Sequence, residues 1–180
     1  MAVADSLSAH IGALNEWLGR ALSWLTLLLV LLVFGLVVAR YLFATGSIAA
    51  QEAALWLHSL VFLLGAAFTL KRDAHVRVDL VYQRLSPRAR AAADLIGSVV
   101  LLLPFCVFLF WVSLDYVGMA WSLHESSREP GGLPGVYLLK TLIPVAAVLL
   151  GLQGIANAID AWARWRSPVT VVVMHDEARL

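Results

Sequence analysis

Residues 21–39 read ALSWLTLLLVLLVFGLVVA and hold no charged side chain between Arg20 and Arg40. Three further charge-free stretches follow: Glu52 to Lys71, Asp94 to Asp115, and Lys140 to Asp160. A helix of about twenty residues rises roughly 30 Å, the thickness of the hydrocarbon core of a bilayer. Because that core offers no water to backbone amides, such segments must be helical. The sequence therefore predicts an all-α integral membrane protein built as a four-helix bundle.

The composition agrees with a membrane protein. Apolar residues make up 61% of the 180 residues and the mean hydropathy is +0.84, against an apolar share of about 45–50% in soluble domains. A net charge of +1 argues against nucleic acid as a partner, since nucleic-acid-binding proteins concentrate Lys and Arg on one face. The single cysteine, Cys106, excludes a disulfide framework.

The chain divides into three predicted parts. Residues 1–17 form an amphipathic lead-in, residues 18–163 a four-span membrane domain, and residues 164–180 a cytoplasmic tail. Because apolar residues repeat at helical spacing in the lead-in, it either lies on the membrane surface or extends the first span. The four spans are predicted at about 18–43, 48–70, 89–121 and 135–163.

Two proline signals refine this map. Ser86 followed by Pro87 is typical of a helix start, with the serine as N-cap and the proline in the first turn. Pro104 and Pro144 lie inside the third and fourth spans. Each removes a backbone hydrogen bond, so we expect each to kink its helix, either as a bend for packing or as a gating hinge.

The basic residues predict an orientation. Of the thirteen Lys and Arg residues, all but Arg40, Arg128 and Lys140 lie on the side that holds both termini and the loop after Lys71. Cytoplasmic loops of membrane proteins carry the excess of Lys and Arg. We therefore expect both termini in the cytoplasm.

The span interiors contain no Asp, Glu, Lys or Arg. Pumps and ion-coupled carriers usually place such groups there, although each costs roughly 2.5–3.5 kcal/mol at mid-helix. Gln153 and Asn157 share a face of the fourth span, and we expect them to bond to a neighbouring helix rather than to a substrate. His58 has no second histidine at similar depth for haem ligation. The sequence predicts no catalytic, cofactor-binding or metal-binding residues, and no enzyme.

Two motifs resemble a known family. Residues 51–90, QEAALWLHSLVFLLGAAFTLKRDAHVRVDLVYQRLSPRAR, combine an acid at the start of a helix, a tryptophan, LGAA, a basic pair and HVRVD. Residues 130–134, PGGLP, precede LLKTLIPVAAVLLGLQGIA at 138–156. Over about residues 45–160 this pattern resembles the small, DctQ-like membrane subunit of tripartite ATP-independent periplasmic (TRAP) transporters. The PGGLP loop and DLVYQRLSPR are similar to its mannitol/chloroaromatic-type subgroup.

The resemblance implies a role in the bacterial inner membrane. In that family a large permease subunit carries the substrate and sodium sites and moves by an elevator motion, while a periplasmic substrate-binding protein delivers the substrate, often an organic acid. The small subunit is a scaffold beside the large one and helps to form the external docking surface. Partners implied for this chain are those two proteins and membrane lipids.

Other classes of protein remain open on the residues alone. A small apolar bundle also suits a membrane anchor or accessory subunit of a redox complex, which a bound chromophore would reveal. A self-assembling channel or carrier is a further alternative, which would transport solute without any partner.

The candidates for contacts with partners lie at the ends of the spans: Arg40, Glu52, Trp56, His75, Arg77, Asp79, Glu125, Arg128 and Glu129. Glu52 matches the acid of the family pattern and either pairs with Arg40, contacts a partner, or simply faces water. The HVRVD stretch at 75–79 either contacts the large subunit or a lipid, or is a solvated basic loop. The charges at 125–129 either dock the periplasmic protein or are merely solvated.

Overall fold

The computed structural model describes residues 2–75, 82 and 84–166, with side chains from residue 6 onward. Four helices run through this part of the chain: α1 (Ala2–Leu42), α2 (Ile48–Lys71), α3 (Pro87–Ser122) and α4 (Val136–Arg166). Each is long and apolar enough to cross a membrane. The prediction of an all-α protein with four membrane-spanning helices is confirmed. Most of the predicted tail, from residue 167, lies outside the described residues.

The two ends of the bundle differ in charge. The basic end contains the start of α1, the end of α2, the start of α3 and the end of α4. The opposite end contains the 43–47 turn and the loop at residues 123–135, here called the opposite-end loop.

Helix α1 is continuous through the predicted lead-in. Its 41 residues span about 60 Å, roughly twice the hydrocarbon thickness, so one end must project from the membrane. Near its start, Ser8 Oγ donates to Asp160 Oδ1 on α4 at 2.9 Å, and Ile11 is buried. The lead-in therefore extends the first span and packs on the bundle.

Helix α3 begins as predicted and contains an irregular segment. Ser86 is the N-cap, its hydroxyl accepting from Ala89 N–H, and Pro87 follows in the first turn. A π-helical segment, Gly97–Leu102, ends two residues before Pro104. In a regular α-helix the Pro104 ring would collide with the carbonyl of Val100. The wider π turn before Pro104 removes that conflict, whereas Pro144 lies inside the continuous α-helix α4.

Helix α4 lies at the centre of the bundle, packing against α1, α2 and α3, while α1 also packs against α2. Its buried positions are mostly small: Ala146, Ala147, Gly154, Ala156 and Ala161. Small residues let membrane helices approach closely, which is needed where lipid offers no hydrophobic drive for association.

Large apolar side chains point outward. Trp24 is 75% exposed, Phe34 66% and Trp111 74%. Contiguous exposed apolar surface of this kind is avoided in water, so its surroundings must be apolar as well. The outward faces of α1 and α3 are consistent with contact with lipid or with another membrane protein.

Candidate partner-binding surfaces

Glu52 ties the opposite-end loop to α2. Its Oε1 accepts a short hydrogen bond from the Ser127 hydroxyl, and its Oε2 accepts from Leu133 N–H at 2.6 Å. Both carboxylate oxygens are therefore used within the chain. The suggested pairing of Glu52 with Arg40 is wrong: Arg40 is exposed and makes no ion pair with any described residue. Sequence analysis did not identify Ser127 as a partner of Glu52, because the two residues lie 75 positions apart in the chain.

The loop around this carboxylate is closed by its own backbone. Ser127 N–H donates to Leu133 O at 3.1 Å, and Gly132 N–H donates to Glu129 O at 3.0 Å. A Cβ on Gly132 would lie 2.3 Å from Ser127 Oγ and 2.8 Å from Glu52 Oε1. Only glycine fits at this position without displacing those groups. We call Glu52, Ser127, Gly132 and Leu133 the loop latch.

The other opposite-end candidates separate into internal and exposed groups. Glu125 pairs with Lys140 at 2.5 Å, both side chains being mostly buried, and Lys140 Nζ lies 4.0 Å from the centroid of the Tyr116 ring. Trp56 is half-buried and lies near Gly135, whose Cβ would be 3.8 Å from its ring. Arg128 and Glu129 are exposed. Of the loop charges, these two are the ones turned to solvent and available to another molecule.

The basic end is held by a different set of charges. Glu16 on α1 accepts from Lys71 Nζ at 3.0 Å and from Arg72, and lies 3.6 Å from Arg20. Three cations converge on one carboxylate, which fixes the start of α1 against the end of α2. Sequence analysis did not single out Glu16, although an acid close to three bases at one end is a usable signal.

At this end Asp94 joins α3 both to α4 and to the segment before α3. Arg164 donates to Asp94 Oδ2 at 3.0 Å, and the Tyr82 hydroxyl donates to the same carboxylate at 2.9 Å. His75 is exposed, with its Nε2 3.2 Å from Ala66 O. Arg77 and Asp79, the other members of the HVRVD candidate, lie outside the described residues, so their predicted contact with a partner or a lipid stays a prediction.

Buried amides connect α1 to α4 just inside the basic end. Asn15 Nδ2 donates to Gln153 Oε1 at 2.7 Å, and Gln153 Nε2 donates to Asn157 Oδ1 at 2.8 Å. Asn15 is 1% exposed and Gln153 4%. We call these residues the amide chain. The expectation of a bond to a neighbouring helix is confirmed for Gln153, whose partner Asn15 the sequence analysis missed, whereas Asn157 bonds to Gln153 within α4.

The sequence model of the DctQ component of tripartite ATP-independent periplasmic transporters matches residues 13–164. The chain belongs to this family. No match was found to a curated protein or to a solved structure. The matched range includes the loop latch, the amide chain and most of all four helices. The DctQ resemblance is therefore confirmed, while its subgroup stays a prediction.

Membership in the DctQ family gives the chain a coarse function. It is the small permease subunit of a TRAP transporter and a multi-pass membrane protein. Members of this family are described as a component of transporters, and the family is not a family of enzymes. Within the described ranges no group of three His, Cys, Asp or Glu side chains is placed to hold a metal ion.

Proposed function

We propose that this DctQ subunit is a static scaffold for a large permease subunit in a bacterial inner membrane. The pair takes up an organic acid or a related small solute, driven by sodium and dependent on a periplasmic substrate-binding protein. The DctQ match supports this proposal because the family description names a tripartite periplasmic transporter. The subunit contributes a fixed wall and external surface rather than a substrate site.

The observation that carries the scaffold role is where the charges lie. The four charge-free stretches leave the middle of each span without Asp, Glu, Lys or Arg. The charge contacts of the described residues are at the two ends, as with Glu16–Lys71 and Glu125–Lys140. Ion-coupled transport requires groups that bind ions away from water, and buried ionisable residues normally supply them. A bundle without charged side chains in the middle of its spans is better suited to support another subunit than to bind an ion itself.

Reconstitution tests this proposal. Proteoliposomes with this subunit, the large permease and the soluble binding protein are expected to accumulate radiolabelled substrate only with an inward sodium gradient. Vesicles with this subunit alone are expected to give no uptake, because it lacks an ion-binding group in the membrane. The large permease is also expected to co-purify with a tagged subunit. Accumulation by the subunit alone, or failure of the two subunits to associate, would contradict the proposal.

The proposed orientation places both termini and the basic end in the cytoplasm. In a Cys106→Ala background, Ser126→Cys tests the opposite end and Arg84→Cys the basic end; both native side chains are exposed. A membrane-impermeant maleimide added to cells with a permeabilised outer membrane is expected to label only Ser126→Cys. Lysis before labelling provides the control that both thiols react. Labelling of Arg84→Cys alone in intact cells would reverse the orientation.

A further inference from the structure

We propose that Glu52 is a positioning residue that holds the tip of the opposite-end loop, residues 128–131, in the shape to which the soluble substrate-binding protein docks. This inference rests on the proposed function, because it assumes that the soluble protein docks at the opposite end. It assigns Glu52 an indirect part in docking, through the loop latch and not through contact with the partner.

The hydrogen bonds of Glu52 favour positioning over contact. One oxygen holds the Ser127 hydroxyl and the other holds Leu133 N–H, so the carboxylate grips the loop on both sides of its tip. The Ser127 hydroxyl also accepts from Glu129 N–H at 3.1 Å. These two bonds use about half of the roughly four acceptor sites of the carboxylate, and the side chain is half-buried, so its main contacts are inside the chain.

The backbone also separates an exposed tip, residues 128–131, from the flanking residues that Glu52 holds. Gly131 has a φ of +80°, which glycine adopts without strain, so the chain turns sharply after Pro130. The next residue, Gly132, must lack a Cβ to lie beside Ser127 and Glu52. Residues 128–131 are exposed, whereas residues 132 and 133 are half-buried.

The exposed charges at the loop tip indicate which charges a docking protein would carry. Arg128 and Glu129 present opposite charges on adjacent residues. A soluble protein carrying an acid opposite Arg128 and a base opposite Glu129 matches this pattern, and such complementarity mainly fixes register and speeds encounter. If the loop were free to move, the two charges would lose their fixed position on the bundle, and docking would require the loop to be ordered first.

Limited proteolysis of the detergent-solubilised permease complex tests the latch directly. Arg128 is exposed, so the rate of trypsin cleavage after it, identified by mass spectrometry, reports how readily the surrounding backbone leaves its latched shape. Because hydrogen bonds to charged groups are among the stronger ones, Glu52→Ala is expected to speed this cleavage by about tenfold. Ser127→Ala is a milder second variant that keeps the carboxylate. Gln51→Ala, an exposed neighbour, is the matched control and is expected to leave the rate unchanged.

Docking is measured on the same complexes in nanodiscs, by titration with the purified binding protein. Glu52→Ala and Arg128→Ala are both expected to weaken binding about tenfold, while the yield of co-purified large permease stays unchanged. Unchanged cleavage in both latch variants would overturn the latch. Faster cleavage with unchanged docking would overturn its role in docking. Failure of the unmodified subunit to bind the large permease would contradict the proposed function. The latch can still be tested in that case, because the cleavage rates can be measured in solubilised membranes that contain the subunit.

Discussion

Replacement of Gly19 by leucine is expected to separate α1 from α2 and to abolish a stable bundle. A Cβ at residue 19 would lie 2.3 Å from Phe68 Cδ2 and 2.4 Å from its Cγ. Rotation of the ring about the Cβ–Cγ bond would leave Phe68 Cγ where it is, so relief requires a new χ1 rotamer or a shift of the backbone. Even Gly19→Ala is expected to cost about 1–3 kcal/mol in the free energy of unfolding, the usual penalty of overpacking. The midpoint of thermal unfolding in detergent and the monodisperse yield measure the loss.

Gly35→Ala is the matched control on the same helix. No described residue comes within 4 Å of a Cβ at residue 35, so the change adds helix propensity without a clash in this part of the structure. Since glycine is about 1 kcal/mol worse than alanine inside a helix, Gly35→Ala is expected to be neutral or stabilising. Phe68→Leu should recover part of the stability lost in Gly19→Ala, because the two sites share one contact. Equal stability of Gly19→Ala and Gly35→Ala would rule out this close approach.

The number and limits of the helices could be predicted because both are local properties. Charge-free length fixes a span, and Ser86 with Pro87 marks a helix start in adjacent residues. Gly19 could not be assigned its role in the same way. Its meaning depends on Phe68, which lies on another helix, and lipid-facing and helix-facing surfaces are equally apolar in this chain. The hydrophobic pattern therefore predicts where the helices lie in the sequence, but not which face of each helix packs against another helix.

The candidate surfaces were predicted in part for the same reason. The sequence indicated that Glu52 matters, but the choice of Arg40 as its partner followed from closeness along the chain. The observed partners come from a loop that returns from α3 to α4, and only the folded bundle brings that loop to α2. Asn15 lies at helical spacing from Ile11, Gly12 and Gly19, but only the structure shows that these positions form a buried stripe. A polar residue in such a stripe requires a polar partner.

Replacing that partner, Gln153, is expected to lower the stability of the bundle. Gln153→Leu leaves both polar atoms of the buried Asn15 side chain without a partner among the described residues, because Asn15 Oδ1 already lacks one. An unsatisfied buried group costs about 1–3 kcal/mol, so a loss of about 2 kcal/mol in unfolding free energy is expected. Asn15→Leu is expected to cost less, because Gln153 keeps its bond to Asn157. Thermal or denaturant unfolding of the purified subunit measures both losses.

The double variant Asn15→Leu/Gln153→Leu separates a hydrogen-bond effect from loss of packing. Replacing both amides with apolar side chains of similar size leaves no orphaned donor between α1 and α4, so it should be more stable than the Gln153→Leu single variant. Thr26→Val is the control, since among the described residues the Thr26 hydroxyl bonds only within its own helix, to Leu22 O. We expect Thr26→Val to change stability by less than about 0.5 kcal/mol. Strictly additive losses in the double variant would mean that the amide chain acts through packing alone, and that α1 and α4 do not depend on their buried hydrogen bond.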